Sequence, residues 1–391
     1  MAIVTGIDIG TKNTRVVICD VGGGKLPRVI GYGIAESRGL RRGYITNVDE
    51  AARGVREAVE EAERIANVKV REAFVSVGGI GLEGITTTGA AIITRADSII
   101  TEQDIDRAIG AAEKALPQPA NKRIIHATPI AFIIDGKEIP GYPAGMKGLK
   151  LEVRALIITC LEQHLDNLVR TVEEADITFL DATAAPLAAS YVALSKPERV
   201  AGSILINLGS ETTSIVVSEN GIPISLEVIP LGSTDITNDI AIALQVSLED
   251  AEAVKIGAST MKYPKRLLND AIIARLDTIF DAITAHLKRI GLNGLLPAGV
   301  ILIGGGALLP FLTEYAKDTM RLSAKIASVS TDIMPRIAGN KDGAPNDPGW
   351  FVAYGLCVFG ASGGLGERRA EYDRWGRFRR AVTSFFRQFL P

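Results

Sequence analysis

The chain is poor in the residues that most often announce chemistry. Its three cysteines, Cys19, Cys160 and Cys357, are scattered over 391 residues, and none stands in a C-x-x-C pair. That spacing argues against a metal knuckle and fits buried or half-buried thiols in a reducing cytosol. The three histidines, His126, His164 and His286, are as widely dispersed. No run approaches the roughly 20 apolar residues of a spanning helix, and Asp8 breaks the one N-terminal stretch that could pass for a signal peptide. The expectation is a soluble protein, or one that rests on a membrane surface. Net charge is only −2, which gives no general bias toward nucleic acid. The charge is unevenly placed, however. Residues 368–391 carry seven arginines against Glu371 and Asp373, a net of +5 that leaves −7 on the rest. With 47% apolar residues the chain can bury a large core, and its length suggests two or more domains.

What the chain does have is a motif written twice. Ile7-Asp8-Ile9-Gly10-Thr11-Lys12-Asn13-Thr14-Arg15-Val16-Val17 is echoed by Ile206-Asn207-Leu208-Gly209-Ser210-Glu211-Thr212-Thr213-Ser214-Ile215-Val216. Each copy reads as strand, Gly-Ser/Thr turn, strand, which is a β-hairpin. Glycine lets backbone approach a ligand, and successive turn N–H groups with hydroxyls make a concave anion site. Two such hairpins from two halves of a chain can grip one polyphosphate. A third turn, Gly304-Gly305-Gly306, follows the apolar strand Val300–Ile303 and allows a helix N-terminus to come close to a ligand.

Between these turns the periodicity predicts further elements. A third strand near Arg28–Ala35 precedes a helix at Asp49–Ala66 and a strand at Ala73–Val77. Residues 81–162 read as a separate α+β unit. Its helix starts at Thr101 in a Thr101-Glu102-Gln103-Asp104 capping box, and strands are predicted at Ile124–Ala127, Ala131–Ile134 and Glu152–Thr159. Helices are expected at Leu161–Ala175, Thr183–Leu194, Thr237–Gln245, Ser247–Ile256, Asn269–Ile290 and Trp350–Phe359, with Gly360–Gly366 as a linker.

The three glycine turns resemble those of the actin-like ATPase superfamily. The resemblance implies ATP and Mg²⁺ as ligands. It places Asp8, Gly10, Thr11, Lys12 and Thr14 in a first phosphate loop, Gly209, Ser210 and Thr213 in a second, and Gly304, Gly305 and Gly306 in an adenosine loop. Asp8 would hold waters of the Mg²⁺ shell, since that ion keeps its hydration, and Lys12 would set a point charge beside the phosphates. Glu252 and Lys255 fall where the superfamily holds ribose and base; a solvated helix face is the alternative. Asn207 stands where the superfamily commonly has Asp. An amide is no base and adds no charge to a metal-bound water, so ATP binding with at most slow hydrolysis is expected, and no catalytic residue is assigned.

The 81–162 unit is similar to the insert of the FtsA family of bacterial cell-division actin homologues. The resemblance is carried by Ser76-Val77-Gly78-Gly79, Ile99-Ile100-Thr101-Glu102-Gln103-Asp104-Ile105-Asp106, His126-Ala127-Thr128-Pro129, Gly145-Met146-Lys147-Gly148-Leu149, Ile229-Pro230-Leu231-Gly232-Ser233 and Leu296-Pro297-Ala298-Gly299-Val300. His126 reads as a structural hydrogen-bonding residue. The expected architecture is α/β: duplicated actin-like, ribonuclease-H-type domains with an inserted SHS2-like α+β subdomain and a C-terminal amphipathic helix. The expected boundaries are 1–80 with 163–196 and 346–360 (1A), 81–162 (1C), 197–233 with 299–345 (2A), 234–298 (2B), a linker at 361–373 and the helix at 374–391. In that last segment Trp375, Phe378, Val382, Phe385, Phe386 and Phe389 form one stripe at helical spacing, with Arg380 off it and Arg379 at its edge. Such a face suits the headgroup region of an anionic bilayer; a protein groove or the chain's own body are the other surfaces it fits.

The family resemblance implies self-association into filaments and recruitment of the C-terminal peptide of the tubulin-like FtsZ near the long helix, where Arg275 pairs either with the peptide or with a surface neighbour. It further implies later divisome partners and a place on the cytoplasmic face of the membrane at the division site. A type IV pilus adaptor of the same fold and an actin-fold metabolite kinase are the rival readings. The kinase would need an acceptor base, and no loop supplies one convincingly.

Overall fold

The computed structural model describes residues 2–22, 26–117, 121–328 and 347–363. The first lobe opens with β1 (Ile3–Ile9), β2 (Asn13–Asp20) and β3 (Arg28–Glu36), followed by a small hairpin of β4 (Leu40–Arg41) and β5 (Tyr44–Ile45), helix α1 (Val48–Ala66) and β6 (Glu72–Val77). The inserted unit comprises β7 (Glu83–Ile92), α2 (Glu102–Lys114), β8 (Lys122–Ile134), β9 (Lys137–Ile139) and β10 (Lys150–Leu161). The chain returns to the first lobe with α3 (Glu162–Glu173), β11 (Thr178–Ala184) and α4 (Ala185–Ala193). After α5 (Lys196–Ala201), the second lobe holds β12 (Ser203–Leu208), β13 (Thr213–Glu219), β14 (Ile222–Ile229), α6 (Ser233–Leu244), α7 (Leu248–Lys255), α8 (Lys265–Arg289), β15 (Gly299–Ile303), α9 (Leu312–Met320) and β16 (Ala324–Ile326). Helix α10 (Phe351–Gly363) packs back on the first lobe, against α4 and β1.

The repeat in the sequence is a repeat in topology. One sheet runs β3-β2-β1-β6-β11 and the other β14-β13-β12-β15-β16, each with three antiparallel strands followed by two parallel ones. The two hairpins also share a register. Asp8 faces Arg15 across the first as Asn207 faces Ser214 across the second. In each turn the glycine N–H donates to the carbonyl three residues on, Gly10 to Asn13 at 3.2 Å and Gly209 to Thr212 at 2.9 Å. Strands buried on both faces explain the near-continuous apolar runs of β12 and β15. One apolar cluster runs through the first lobe and reaches Leu205, Val216, Leu226 and Ile303 of the second, so the lobes share a core beneath the cleft. A separate cluster joins β12, β13 and β15 to α6, α8 and α9.

The inserted unit is a four-stranded antiparallel sheet, β7-β10-β8-β9, covered by α2. The predicted capping box forms: Asp104 Oδ2 accepts from Thr101 N at 2.8 Å and from Thr101 Oγ1 at 2.7 Å. Two strands were expected across 124–134, but β8 is one strand. Pro129 pairs with Ala155 and Ala131 with Arg154, leaving Ile130 as the extra residue of a bulge. A bulge tolerates a residue that has no N–H to give, so the proline bends the strand without ending it. Helix α6 also starts earlier than the expected Thr237, because Asp235 Oδ2 accepts from Gly232 N at 2.8 Å and closes its first turn. Helix α8 likewise begins at Lys265, directly after Pro264.

Candidate functional site: the cleft between the lobes

The two hairpin turns and the Gly304–Gly306 turn line a cavity of about 480 Å³ between the lobes, within the usual range for small-molecule sites. Asp8, Gly10, Thr11 and Lys12 line it from the first lobe, and Gly209, Ser210, Glu252 and Lys255 from the second. Thr14 and Thr213 are not among its lining residues. Both are buried in their hairpins: Thr14 Oγ1 lies 2.9 Å from Ser37 Oγ, and Thr213 Oγ1 donates to Leu231 O at 2.8 Å. Their strand neighbours Arg15 and Ser214 line the cavity instead, as side-chain alternation along a strand requires.

The cleft is bridged. Lys12 Nζ sits 2.8 Å from Glu252 Oε1, although 240 residues separate them. The other oxygen of Glu252 accepts from Lys255 Nζ at 2.6 Å and from Thr237 Oγ1 at 2.6 Å. Lys255 is 7% exposed and also donates to Thr237 Oγ1 at 2.7 Å and to Ser233 O at 3.1 Å. These two residues therefore face the cleft and are not a solvated helix surface. Burial alone would raise the Glu252 carboxyl, but the donors Lys12, Lys255 and Thr237 hold it at about 2. Burial pushes the Lys255 ammonium the other way, downward. The outcome is a fixed carboxylate between two cations, with Lys12 the more exposed of the pair and free to reorient toward an anion.

Asp8 lies half-buried on the floor of the cleft, and burial raises its carboxyl; Ser76 Oγ opposes this by donating to Asp8 Oδ1 at 2.7 Å. A hard oxygen ligand held in one orientation suits an ion that is bound through water. Among the described residues no group of three or more His, Cys, Asp and Glu could hold a metal by itself, so Mg²⁺ would rely on phosphate oxygens and on Asp8. Across the cleft Asn207 takes the equivalent position. Gly304 sits at φ +86°, and a Cβ there would overlap Asn207 Oδ1 and the Leu208 backbone, so this turn requires glycine for both its conformation and its packing.

Ser76, Thr237, Arg15 and Asp347 were not singled out as site residues from the sequence. Arg15 pairs with Asp347 at 3.4 Å and stands 5.7 Å over the Trp350 ring, and Gly304 N donates to Pro348 O at 3.0 Å. Residues 347–350 thereby close one side of the cavity. Ser76 had a visible signal, since it ends a strand just before Gly78-Gly79; Thr237 and Asp347 had none.

Arg275 lies outside the cavity lining. Its Nε and Nη2 grip Asp239 at 2.7 and 2.9 Å, tying α8 to α6 in a bidentate pair. His126 Nε2 accepts from Ala184 N at 3.1 Å deep in the first lobe. Trp375, Phe378, Arg379, Arg380, Val382, Phe385, Phe386 and Phe389 fall outside the described residues.

A family model described as "Cell division protein FtsA" matches residues 204–355, and one described as "SHS2 domain inserted in FTSA" matches residues 80–159. A "Cell division protein FtsA" of Bacillus subtilis (strain 168) is 32% identical over 375 residues, 90% of this chain and 82% of that protein. Among solved structures, the "PilM-PilN type IV pilus biogenesis complex" superposes with a TM-score of 0.71 at 19% identity, covering 92% of this chain and 98% of that one. MreB5 of Spiroplasma citri bound to ADP gives a TM-score of 0.51 at 14% identity, covering 92% of this chain and 96% of that one. At such identities the structural likenesses show the fold alone. It is the actin-like fold that the sequence resemblance implied, with the SHS2 unit as its insert.

Proposed function

The chain belongs to the FtsA family of cell division proteins, and from that premise we propose that it is an ATP-binding, filament-forming tether for FtsZ at the division site. The observation that carries the nucleotide part is the bridge of Lys12 to Glu252, which draws a cation of one phosphate turn and a carboxylate of the opposite lobe into a single cavity. In this reading the N–H groups of both turns cradle the phosphates, Lys12 turns from Glu252 to the terminal phosphates, and Glu252 with Lys255 holds the sugar side. Asp8, oriented by Ser76, would hold a hydrated Mg²⁺, which would supply neutralisation of phosphate charge. Asn207 has no proton-accepting carboxylate to offer an attacking water, which makes the protein a slow ATPase at most.

The membrane part rests on the sequence of 374–391, whose aromatic stripe and arginines suit an anionic bilayer surface. One such helix binds weakly, and many on one filament bind tightly through effective concentration. Polymers assembled on the cytoplasmic face of the membrane would hold the C-terminal peptide of FtsZ near α8 and recruit later divisome proteins. The Arg275–Asp239 pair would have to open for Arg275 to meet an acidic group of that peptide. What supports the type IV pilus adaptor reading is likeness of fold alone.

The test is co-sedimentation with anionic liposomes, with and without ATP, for the full chain and for a chain ending at Gly366. Binding that depends on residues 367–391 and strengthens with ATP is expected. Equal, negligible binding by both chains would remove the tether.

A further inference from the structure

Two walls of the cavity run from the phosphate turns to the mouth. One is α7. Glu252 meets the Lys12 ammonium at the first turn, and Ile256 follows four residues later, about 6 Å farther along the helix. The Glu252 side chain is 29% exposed, whereas Ile256 is 64% exposed and still lines the cavity. The other wall starts at buried Gly304, beside Asn207 on the floor, and ends at Leu308, which is 60% exposed and lines the cavity as well. Both walls therefore reach the mouth in an aliphatic side chain.

A nucleoside triphosphate that puts its phosphates on the turn N–H groups, Lys12 and Asp8 has its base at this mouth, between Ile256 and Leu308. The polar side chains nearby are already engaged. Lys255 precedes Ile256, and its three N–H groups go to Glu252, Thr237 and Ser233. Glu252 keeps Oε1 for sugar hydroxyls once Lys12 turns to the phosphates. Asp347 is held by Arg15 and by Gly349 N. On the glycine wall the lining side chains Leu308, Leu309 and Pro310 are hydrocarbon. There Gly304 N donates to Pro348 O and Leu309 N to Gly306 O, and Pro310 has no N–H.

We infer that the site does not read its nucleobase: it takes purine nucleoside triphosphates as a class, with GTP bound about as well as ATP. The inference rests on the nucleotide reading given above and broadens its substrate. Adenine and guanine have similar flat faces, which Ile256 and Leu308 cover alike. They differ at their edges, where adenine carries an amino group in place of guanine's carbonyl and guanine carries a further amino group. At an open mouth those edge groups stay in water, so neither base gives up a hydrogen bond on entering. Rejection by about 10⁴–10⁵-fold needs a site built to hydrogen-bond the favoured ligand, and these side chains build none.

The test is calorimetric titration of the full chain with MgATP and with MgGTP, repeated for Leu308→Ala and Ile256→Ala. Both positions are exposed, so truncation leaves the core packing intact. The expected affinities for the two nucleotides lie within about fivefold of each other. Each variant is expected to weaken both nucleotides by the same factor, about threefold or more, as apolar contact with the base is lost. Affinities that differ by more than about fivefold, a variant that changes one nucleotide alone, or variants that leave both unchanged would overturn the inference. Failure of the unaltered chain to bind MgATP at all would overturn the nucleotide reading and the inference with it.

Discussion

Asp8 and Asn207 occupy the same place in two copies of one hairpin and differ only in what the side chain ends in. The carboxylate is half-buried and held by Ser76; the amide packs against Gly304. Restoring a carboxylate at the second position, Asn207→Asp, is expected to raise ATP turnover roughly tenfold or more, because a positioned base contributes about 10²–10⁴-fold when fully effective. Phosphate release under saturating MgATP measures it. His126 makes the opposite demand, since its Nε2 must stay unprotonated to accept from Ala184 N. Burial pushes its pKa down to about 3, against about 6.5 in an unfolded chain. Between those values the unfolded state binds the extra proton, so stability falls as pH drops below about 6.5. From pH 7 to pH 5 the parent chain is expected to lose about 2 kcal/mol more than His126→Gln, read by urea unfolding at each pH. At this scale the sequence was only half legible. Gly10, Lys12, Gly209 and the Gly304 turn stood out by pattern. Thr14 and Thr213 were placed in the phosphate loops by the superfamily resemblance, yet strand alternation sends them into the hairpin and Arg15 and Ser214 toward the cleft.

The elements were legible where a local signal sets their ends. Ser247 caps α7 by accepting from Asp250 N at 3.1 Å, and the Thr101 box caps α2, both as their spacing implies. Pro129 misled, because a proline in a strand reads as an end and here occupies a bulge. Packing between elements left no pattern at all. Gly89 in β7 is buried against α2, where any Cβ would collide with Ala108 and Ala112 backbone atoms. Overpacking of that kind costs about 1–3 kcal/mol or more. Gly89→Val is therefore expected to lower the melting temperature or to loosen the inserted unit, seen as faster amide exchange in β7 and α2. Since Gly89 lies in a different unit from the cleft, ATP affinity should stay within about twofold.

At the scale of the molecule, the repeated motif foretold a duplicated fold, and two sheets of matching order follow from it. The contacts that join the halves were not readable. Lys12 with Glu252 and Arg15 with Asp347 are 240 and 332 residues apart, and no periodicity relates such positions; only folding brings them to one cavity. The central claim is that both lobes grip a single nucleotide, and calorimetric titration with MgATP tests it most directly. Two variants, one from each lobe, complete the measurement. Lys12→Ala removes the first lobe's cation. Gly305→Leu fills the cavity from the second, at a position where a Cβ meets nothing within 4 Å and the fold has room for it. The account predicts one site per chain, with affinity reduced at least tenfold by Lys12→Ala, since a charged hydrogen bond contributes about 1.5–3 kcal/mol, and also reduced by Gly305→Leu, whose side chain takes space in the cavity. Binding that either variant leaves undiminished would contradict a two-lobed grip.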